Sequence, residues 1–157
     1  MQLTSVDFQE GGEIPSRFTS DGENISPELS WKDGPPHAKS FALIMHDPDA
    51  PKAGGFTHWV VYNIGPGVGH IEQGVPREKE IKGVGLQGKN EAGKLGYIGP
   101  APPSGVHRYF FQLYALDCPL DLEAGAAFGE VQAVIKGHVL AQAELMGTYE
   151  KQKKQVA

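Results

Sequence analysis

Residues 107–116 read His-Arg-Tyr-Phe-Phe-Gln-Leu-Tyr-Ala-Leu, and this stretch carries the clearest β-strand signal in the chain. Its side chains alternate between two faces, with His107, Tyr109, Phe111 and Leu113 on one and Arg108, Phe110, Gln112 and Tyr114 on the other. Both faces are largely apolar, as expected for a sheet that is covered on both sides. The stretch therefore predicts a strand inside a layered β fold.

Further strands are predicted around it. Residues 41–46 and 58–64 are continuous apolar runs of strand length, which favours central strands, and residues 3–8 and 29–31 carry weaker strand signals. The 21 glycines and 12 prolines are spread between these runs without a period. This distribution is typical of a loop-rich β fold.

One helix is predicted over residues 130–149. Val131, Val134, Ile135 and Leu145 fall on one wide face at helical spacing. His138 interrupts that face, and we interpret it as a core histidine hydrogen-bonded to backbone. Many strands with one late helix predict a β-sandwich or Greek-key arrangement with the helix packed on its edge.

Size and composition exclude several classes of protein. The 157 residues fit a single domain, 1–157, and the 39% hydrophobic and 21% charged shares are ordinary for a soluble protein. A net charge of −5 and the lack of a basic patch argue against nucleic-acid binding. No apolar run could span a bilayer, no signal peptide is evident, and the one cysteine excludes an intrachain disulfide. We therefore expect a cytoplasmic protein without integral membrane association.

A glycine-rich motif resembles known phosphate loops but lacks their context. Residues 83–88, Gly-Val-Gly-Leu-Gln-Gly, match the dinucleotide fingerprint and nearly match a P-loop. Both motifs need a buried strand before them and a helix after them. The preceding residues are too charged and the following ones too glycine-rich, so we expect no nucleotide cofactor.

No metal centre or nucleophile is predicted. His46, Asp47 and Asp49 stand too close in sequence to share one face of a strand, and the prolines around Asp49 favour a turn whose carboxylate accepts backbone N–H groups. Ser104 has no nucleophile elbow around it and fits a turn. Cys118, which precedes a proline, fits a half-buried, inert thiol. The catalytic and metal-ligand sets are therefore expected to be empty.

Two histidines, a carboxylate and a phenol mark the candidate site. Asp47 closes one predicted strand, His58 opens another, and His107 and Tyr109 point to the same face of a third. If these strands are neighbours, their ends converge, and Asp47 would hold at least one imidazole charged and oriented. Imidazole and phenol groups donate hydrogen bonds to anionic oxygens, and proline-rich walls preform a cavity. The pattern predicts a pocket for a small anion such as a phosphate ester.

The motifs resemble a known family over nearly the whole chain. Asp47-Pro48-Asp49-Ala50-Pro51, Thr57-His58-Trp59-Val60-Val61-Tyr62-Asn63 and Gly99-Pro100-Ala101-Pro102-Pro103 with His107-Arg108-Tyr109 are similar to the signature of the phosphatidylethanolamine-binding protein family. Residues 19–31 and Gly137-His138 further resemble its short bacterial and archaeal branch. The resemblance implies a mainly β sandwich of two antiparallel sheets, often with a cis-proline near the aspartate motif. It also implies an anion pocket made by Asp47, Pro51, His58, Pro102, His107 and Tyr109.

Three functions follow as hypotheses. The first is a binding protein for a small phosphorylated or anionic ligand, such as a phospholipid headgroup. The second is a hydrolase of phosphate or acyl esters with His58 or His107 as general base. The third is an interaction module whose protein partner is a kinase or protease. The resemblance is also compatible with a homodimer.

Overall fold

A computed structural model describes residues 1–152, so residues 153–157 of the predicted domain lie outside the described structure. The elements in chain order are β1 Gln2–Thr4, a 3-10 turn Ser16–Phe18, β2 Leu29–Lys32, β3 Ser40–Asp47, β4 Phe56–Ile64, β5 His70–Ile71, β6 Glu80–Ile81, β7 Gly85–Gln87, β8 Val106–Leu116, α1 Phe128–Ile135 and β9 Val139–Glu150. The predicted mainly β fold with a late helix is confirmed. No helix within residues 1–152 combines the length and apolar character that crossing a bilayer requires.

The strands form two antiparallel sheets, as expected. The small sheet has the order β1-β2-β5, and the large sheet has the order β6-β7-β4-β3-β8-β9. Strand β3 pairs with β4 on one side and with β8 on the other, while β8 pairs with β9 along its whole length. The chain therefore crosses from one edge of the large sheet to the other between β7 and β8.

Both faces of the large sheet are buried. On one face the small sheet covers a core that includes Leu29, Trp31, Leu43, Trp59 and Phe111. On the other face α1 packs through Val131 and Ile135 on a cluster that includes Ala42, Val60 and Tyr62. The two-sided apolar pattern of residues 107–116 is explained by this double cover. Helix α1 lies on the face of the sheet and not on its edge, because its apolar side chains contact the central strands.

The predicted helix over residues 130–149 is wrong in extent. Helix α1 ends at Ile135, Gly137 adopts a positive φ of 87°, and β9 follows. From residue 143 onward, buried positions in β9 alternate with exposed or half-buried ones. The buried residues are Ala143, Leu145, Gly147 and Tyr149. The apolar residues between 131 and 146 match helical spacing by chance. The small residues of β9 provide too little hydrophobic contrast to reveal its period of two.

Two smaller expectations also fail. His138 is not a core residue: its side chain is 46% exposed and its Nδ1 lies 2.8 Å from Oδ1 of Asp117. All peptide bonds across residues 1–152 are trans, so the cis-proline implied by the resemblance is absent from the described chain.

Gly147 marks a close approach that the strand assignment explains. It pairs with Tyr109 in the ladder between β8 and β9, and residues 8–14 cross over it. A Cβ at this position would lie 2.5 Å from Cγ1 of Ile14 and 2.9 Å from Cε2 of Phe8. No ordinary side chain fits there without displacing the crossing segment.

We expect Gly147→Ala to lower the free energy of unfolding by about 1–3 kcal/mol, because an added methyl group overpacks this contact. Gly129→Ala in α1 is the matched control, since its Cβ would meet nothing within 4 Å. That control should gain up to about 1 kcal/mol from reduced unfolded-state freedom. Urea unfolding of both variants measures the difference, and an unchanged midpoint for Gly147→Ala would contradict the packing described here.

Candidate functional site

The predicted site residues converge at one end of the large sheet. Asp47 is the last residue of β3, His58 lies near the start of β4, and His107 and Tyr109 lie at the start of β8. Because β3 is paired with β4 and β8 in antiparallel register, the end of β3 meets the beginnings of both neighbours. The three strands are neighbours in the large sheet, so the condition for the convergence of their ends is met.

A cavity of about 310 Å³ opens at this end of the sheet. Its lining residues are Asp47, Ala50, Pro51, Lys52, Phe56, His58, Ile98, Gly99, Ala101, Pro102, Pro103, His107 and Tyr109. All six residues predicted from the sequence are among them. The volume lies at the low end of the roughly 300–1,000 Å³ found for small-molecule sites, so only a small group fits inside.

Asp47 and His107 form a buried hydrogen-bonded pair. Nδ1 of His107 lies 2.7 Å from Oδ2 of Asp47, and their side chains are 9% and 3% exposed. The other carboxylate oxygen accepts the backbone N–H of Asp49 at 2.7 Å. Since a carboxylate accepts, Nδ1 of His107 carries the proton of this bond. The pair fixes the orientation of the imidazole and leaves its Nε2 for another partner.

His58 is oriented in the same way by a backbone carbonyl. Its Nδ1 donates to the carbonyl oxygen of Ile98 at 2.8 Å, and the N–H of Ile98 returns a bond to His58 at 3.1 Å. Burial lowers the pKa of His58 below its ordinary value of 6.5, although the Ile98 bond and the charge of Asp47 oppose that shift. The neutral ring therefore presents the lone pair of Nε2, and the protonated ring presents an N–H donor.

Tyr109 is the least ordinary member of the site. Its ring is fully buried and packs edge-on against His58 with centroids 5.3 Å apart. Its hydroxyl lies near the Asp47 carboxylate, but no described residue partners it with regular hydrogen-bond geometry. Burial raises the pKa of Tyr109, and the nearby charge of Asp47 adds to that shift, so the hydroxyl keeps its proton. A buried donor without a partner costs free energy, and this cost is recovered when a ligand oxygen accepts a hydrogen bond from it.

Residues 98–103 form a wall that is held by the rest of the fold. The N–H of Gly99 donates to Oδ1 of Asn24 at 2.7 Å, and the carbonyl of Pro100 accepts from Ser20 at 3.0 Å. A Cβ on Gly99 would lie 2.3 Å from the carbonyl oxygen of Phe18, so only glycine fits. Pro102, which belongs to this wall, is itself buried. The shape of the cavity is therefore preformed.

The loop after β3 makes the opposite wall. Asp49 anchors it to β8, because Oδ2 accepts the backbone N–H and Nε of Arg108 at 2.8 and 3.0 Å, and Oδ1 accepts Nη2 at 2.9 Å. This confirms that the Asp49 carboxylate accepts a backbone N–H. The Arg108 guanidinium bonds lower the pKa of Asp49 to about 2. The anchor is therefore ionised at any physiological pH.

Lys52 is a pocket residue that sequence reasoning missed. It lines the cavity, forms an ion pair with Glu91, and places its ammonium 5.9 Å from the ring centroid of Phe56. Glu91 also accepts the backbone N–H of Thr57 at 2.8 Å, which ties the loop to β4. The signal for Lys52 was its place directly after Pro51. Phe56, Ile98 and Gly99 were missed as well, since apolar and glycine residues carry no chemical signature.

A larger cavity of about 470 Å³ lies on the opposite face of the same sheet, between β3 and α1. Its one imidazole belongs to His46, whose Nδ1 and Nε2 lie 2.9 Å from Oγ1 of Thr57 and 2.8 Å from the carbonyl of Gly54. Both ring nitrogens are thus engaged by protein. The smaller cavity is the better candidate because Nε2 of each of its imidazoles has no hydrogen-bond partner within residues 1–152.

The rejected motifs stay apart from the candidate site. Residues 83–88 run into strand β7 and no helix follows them directly, so the structure offers no helix N-terminus for a phosphate there. Ser104 does not line the cavity. Cys118 is a free thiol beyond the far end of β8. Burial raises the pKa of Cys118, with a further contribution from Asp117, which disfavours the nucleophilic thiolate.

Taken together, the fold is that of a two-sheet β protein whose central strands carry a small, proline-walled pocket at one end. Residues 4–150 match the family model described as phosphatidylethanolamine-binding protein. The chain belongs to this family, as the motifs of the sequence indicated.

Individual relatives agree with this placement. The chain is 54% identical over 149 residues to a UPF0098 protein of Methanothermobacter thermautotrophicus, which covers 95% of this chain and 98% of the relative. A crystal structure of CT736 from Chlamydia trachomatis, a putative phosphatidylethanolamine-binding protein homolog, aligns with a TM-score of 0.87 and 44% identity over 96% of this chain and 97% of that one. Escherichia coli YbcL, described as a member of the mammalian family, aligns with a TM-score of 0.89 and 30% identity over 96% and 98%.

The Asp49 anchor gives a structural prediction for the pocket loop. We expect Asp49→Ala to speed amide hydrogen exchange of residues 50–55 by roughly fivefold or more, since bonds worth about 1 kcal/mol or more are lost. Global stability should change little because the ion pair is at the surface, with the Arg108 and Asp49 side chains 52% and 28% exposed. Glu23→Ala is the control, because it removes the exposed Arg17–Glu23 pair at 3.1 Å elsewhere. Unchanged exchange in the Asp49 variant would show that the loop is held by other contacts.

Proposed function

We propose that this protein binds a small phosphorylated or otherwise anionic group in the cavity between Asp47 and Tyr109, with phosphoethanolamine as a representative headgroup. The observation that carries the proposal is the buried hydroxyl of Tyr109, a cavity-lining residue, which has no partner of regular hydrogen-bond geometry among the described residues. An anionic oxygen is the strongest acceptor that such a donor can meet.

The imidazoles supply the next contacts. Nδ1 of His107 is engaged by Asp47 and Nδ1 of His58 by Ile98, so each ring keeps Nε2 for a ligand. When protonated, each Nε2–H is a charged donor suited to an anionic oxygen. Two imidazoles and one phenol thus supply three donors, the number of terminal oxygens on a phosphate ester.

The carboxylate of Asp47 does not prevent anion binding. Both of its oxygens are already engaged, by the N–H of Asp49 and by Nδ1 of His107. Its charge favours the protonated form of the His58 imidazole, and that form attracts an anion. The ligand is therefore expected to bind together with a proton.

The walls restrict what enters. Pro51, Pro102 and Phe56 give the cavity apolar sides. Because proline rings are rigid, the walls lose little conformational entropy when a ligand binds. The cavity opens to solvent, and Lys52 is among its lining residues. A headgroup-sized anion fits inside, and a longer substituent would extend outside.

Hydrolysis is the second candidate, because the His107–Asp47 pair has the geometry of a general base oriented by a carboxylate. The lining residues include no serine, threonine or cysteine, so water would have to be the nucleophile. Inorganic phosphate released from phosphoethanolamine during a binding assay would favour this second function.

Tyr109→Phe tests the carrying observation. We expect the variant to bind phosphoethanolamine about tenfold more weakly or worse, because a hydrogen bond to a charged group contributes roughly 1.5–3 kcal/mol. Its free energy of unfolding should change little, since the hydroxyl makes no hydrogen bond of regular geometry with the described residues. Calorimetric titration and urea unfolding measure the two quantities.

Tyr62→Phe is the matched control. This tyrosine is also buried, but its hydroxyl accepts the N–H of Ala126 at 3.1 Å on the helix side of the sheet. The control should lose about 1 kcal/mol of stability and keep its affinity. Equal affinities of wild type and Tyr109→Phe would refute the proposed role of the phenol.

The pH dependence of binding follows from His58. Burial lowers its pKa below 6.5, so the free protein holds the neutral ring near pH 7, whereas an anion favours the protonated ring. Binding therefore takes up a proton, and sulfate affinity should rise as pH falls from 8 to 5, by at most about tenfold per pH unit for one proton.

Sulfate is the suitable probe because its charge is constant over this range. The slope should be smaller in His58→Gln, whose amide does not titrate. Calorimetry in buffers of different ionisation enthalpy counts the proton directly. Affinity that is independent of pH, or that rises with pH, would contradict the linkage.

A further inference from the structure

A second cluster of polar side chains lies at the opposite end of β8. Asp117 and Cys118 follow the last residue of β8, and His138 precedes the first residue of β9. Leu116 and Val139 are paired across the two strands, so the three side chains meet beyond this pair. Their grouping is not visible in the sequence, because 19 residues, which include α1, separate Cys118 from His138.

We propose that Asp117, Cys118 and His138 form a binding site for a zinc-type divalent transition-metal ion. The carboxylate oxygen, the thiol sulfur and a ring nitrogen all lie within 4.8 Å of one another. Ligand atoms on one tetrahedral zinc ion lie roughly 3.5 Å apart, given bond lengths of about 2.0–2.3 Å. Small rotations of side chains would bring the three donors to an ion without moving backbone.

The backbone that carries the ligands is fixed independently of them. The N–H of Asp117 donates to the carbonyl of His138 at 3.0 Å, and the N–H of His138 donates to Ile135 at 3.0 Å. The carbonyl of Cys118 accepts from Oγ of Ser40 at 2.8 Å. These bonds hold both loops in place, so a metal ion would find a preformed pair of segments.

The donor set indicates the class of ion. One imidazole, one thiolate and one carboxylate are the nitrogen, sulfur and oxygen ligands that zinc accepts, whereas calcium and magnesium prefer oxygen alone. A neutral imidazole with two anionic ligands would also balance a divalent charge. The side chains of His138 and Asp117 are 46% and 47% exposed, which gives an ion access and leaves a fourth position for water.

The site is separate from the anion pocket. His107 and Leu116 lie at opposite ends of β8, about 30 Å apart at roughly 3.3 Å per residue. Zinc binding and anion binding are therefore independent proposals. His107→Ala should leave zinc affinity unchanged, and Cys118→Ser should leave sulfate affinity unchanged.

Titration of the reduced, metal-free protein with Co²⁺ tests the proposal. We expect one equivalent to bind with a thiolate-to-cobalt charge-transfer band in the near ultraviolet, and Zn²⁺ to displace it. Cys118→Ser should abolish the band and His138→Gln should weaken zinc binding about tenfold or more. Circular dichroism of each variant checks that the fold is kept.

His70→Gln is the control. Nε2 of His70 lies 2.9 Å from a carboxylate oxygen of Glu28, a histidine–carboxylate pair outside the proposed metal cluster in which the histidine is half-exposed. This variant should bind cobalt and zinc as the wild type does. Cobalt binding without a thiolate band, or equal zinc affinity in wild type, Cys118→Ser and His138→Gln, would show that Asp117 and His138 form an ordinary ion pair.

Discussion

Strand β3 is hydrogen-bonded on both sides, to β4 and to β8, and this double pairing decides where Asp47, His58, His107 and Tyr109 lie. The register brings Asp47, at the end of β3, beside the start of β8, where His107 donates to it at 2.7 Å. Without that register the carboxylate would be a buried charge without a partner, which costs several kcal/mol in a protein interior. The sheet pairing and the Asp47–His107 bond therefore depend on each other.

The same strand pairing gives the polar groups on the two faces of the sheet different surroundings. Asp47 faces the smaller cavity, and His46, its neighbour on β3, faces the helix side, where both of its ring nitrogens are engaged. Adjacent residues on a strand point to opposite faces, so one residue of register slip would exchange their environments. The packing of the small sheet on one face and α1 on the other makes such a slip costly.

Sequence reasoning recovered the central strands because their signals are strong. Residues 107–116 alternate between two apolar faces, and β3 and β4 are apolar runs of strand length. It failed for β9 because the inward positions include Ala143 and Gly147, which carry too little hydrophobic contrast to reveal a period of two. Gly147 is small for a tertiary reason, the crossing of Phe8 and Ile14, and such a contact is not visible in a local pattern.

The six predicted pocket residues do lie in one cavity, because polar residues among prolines and glycines mark loop ends. What the sequence could not give is the state of each group. The Tyr109 hydroxyl has no partner of regular hydrogen-bond geometry in the described part of the chain, and Nδ1 of His58 is engaged by Ile98. Both facts depend on distances set by the whole fold. Lys52 escaped notice because a lysine in a loop is ordinary, and His138 was misplaced together with the helix.

We propose that the buried phenol of Tyr109 and Nε2 of His58 and His107 bind an anion. A crystal of the protein soaked in selenate, measured at the selenium edge, tests it most directly. We expect an anomalous peak in the cavity within hydrogen-bond distance of the Tyr109 hydroxyl and of Nε2 of both His58 and His107. An empty cavity beside selenate bound at other sites would contradict it.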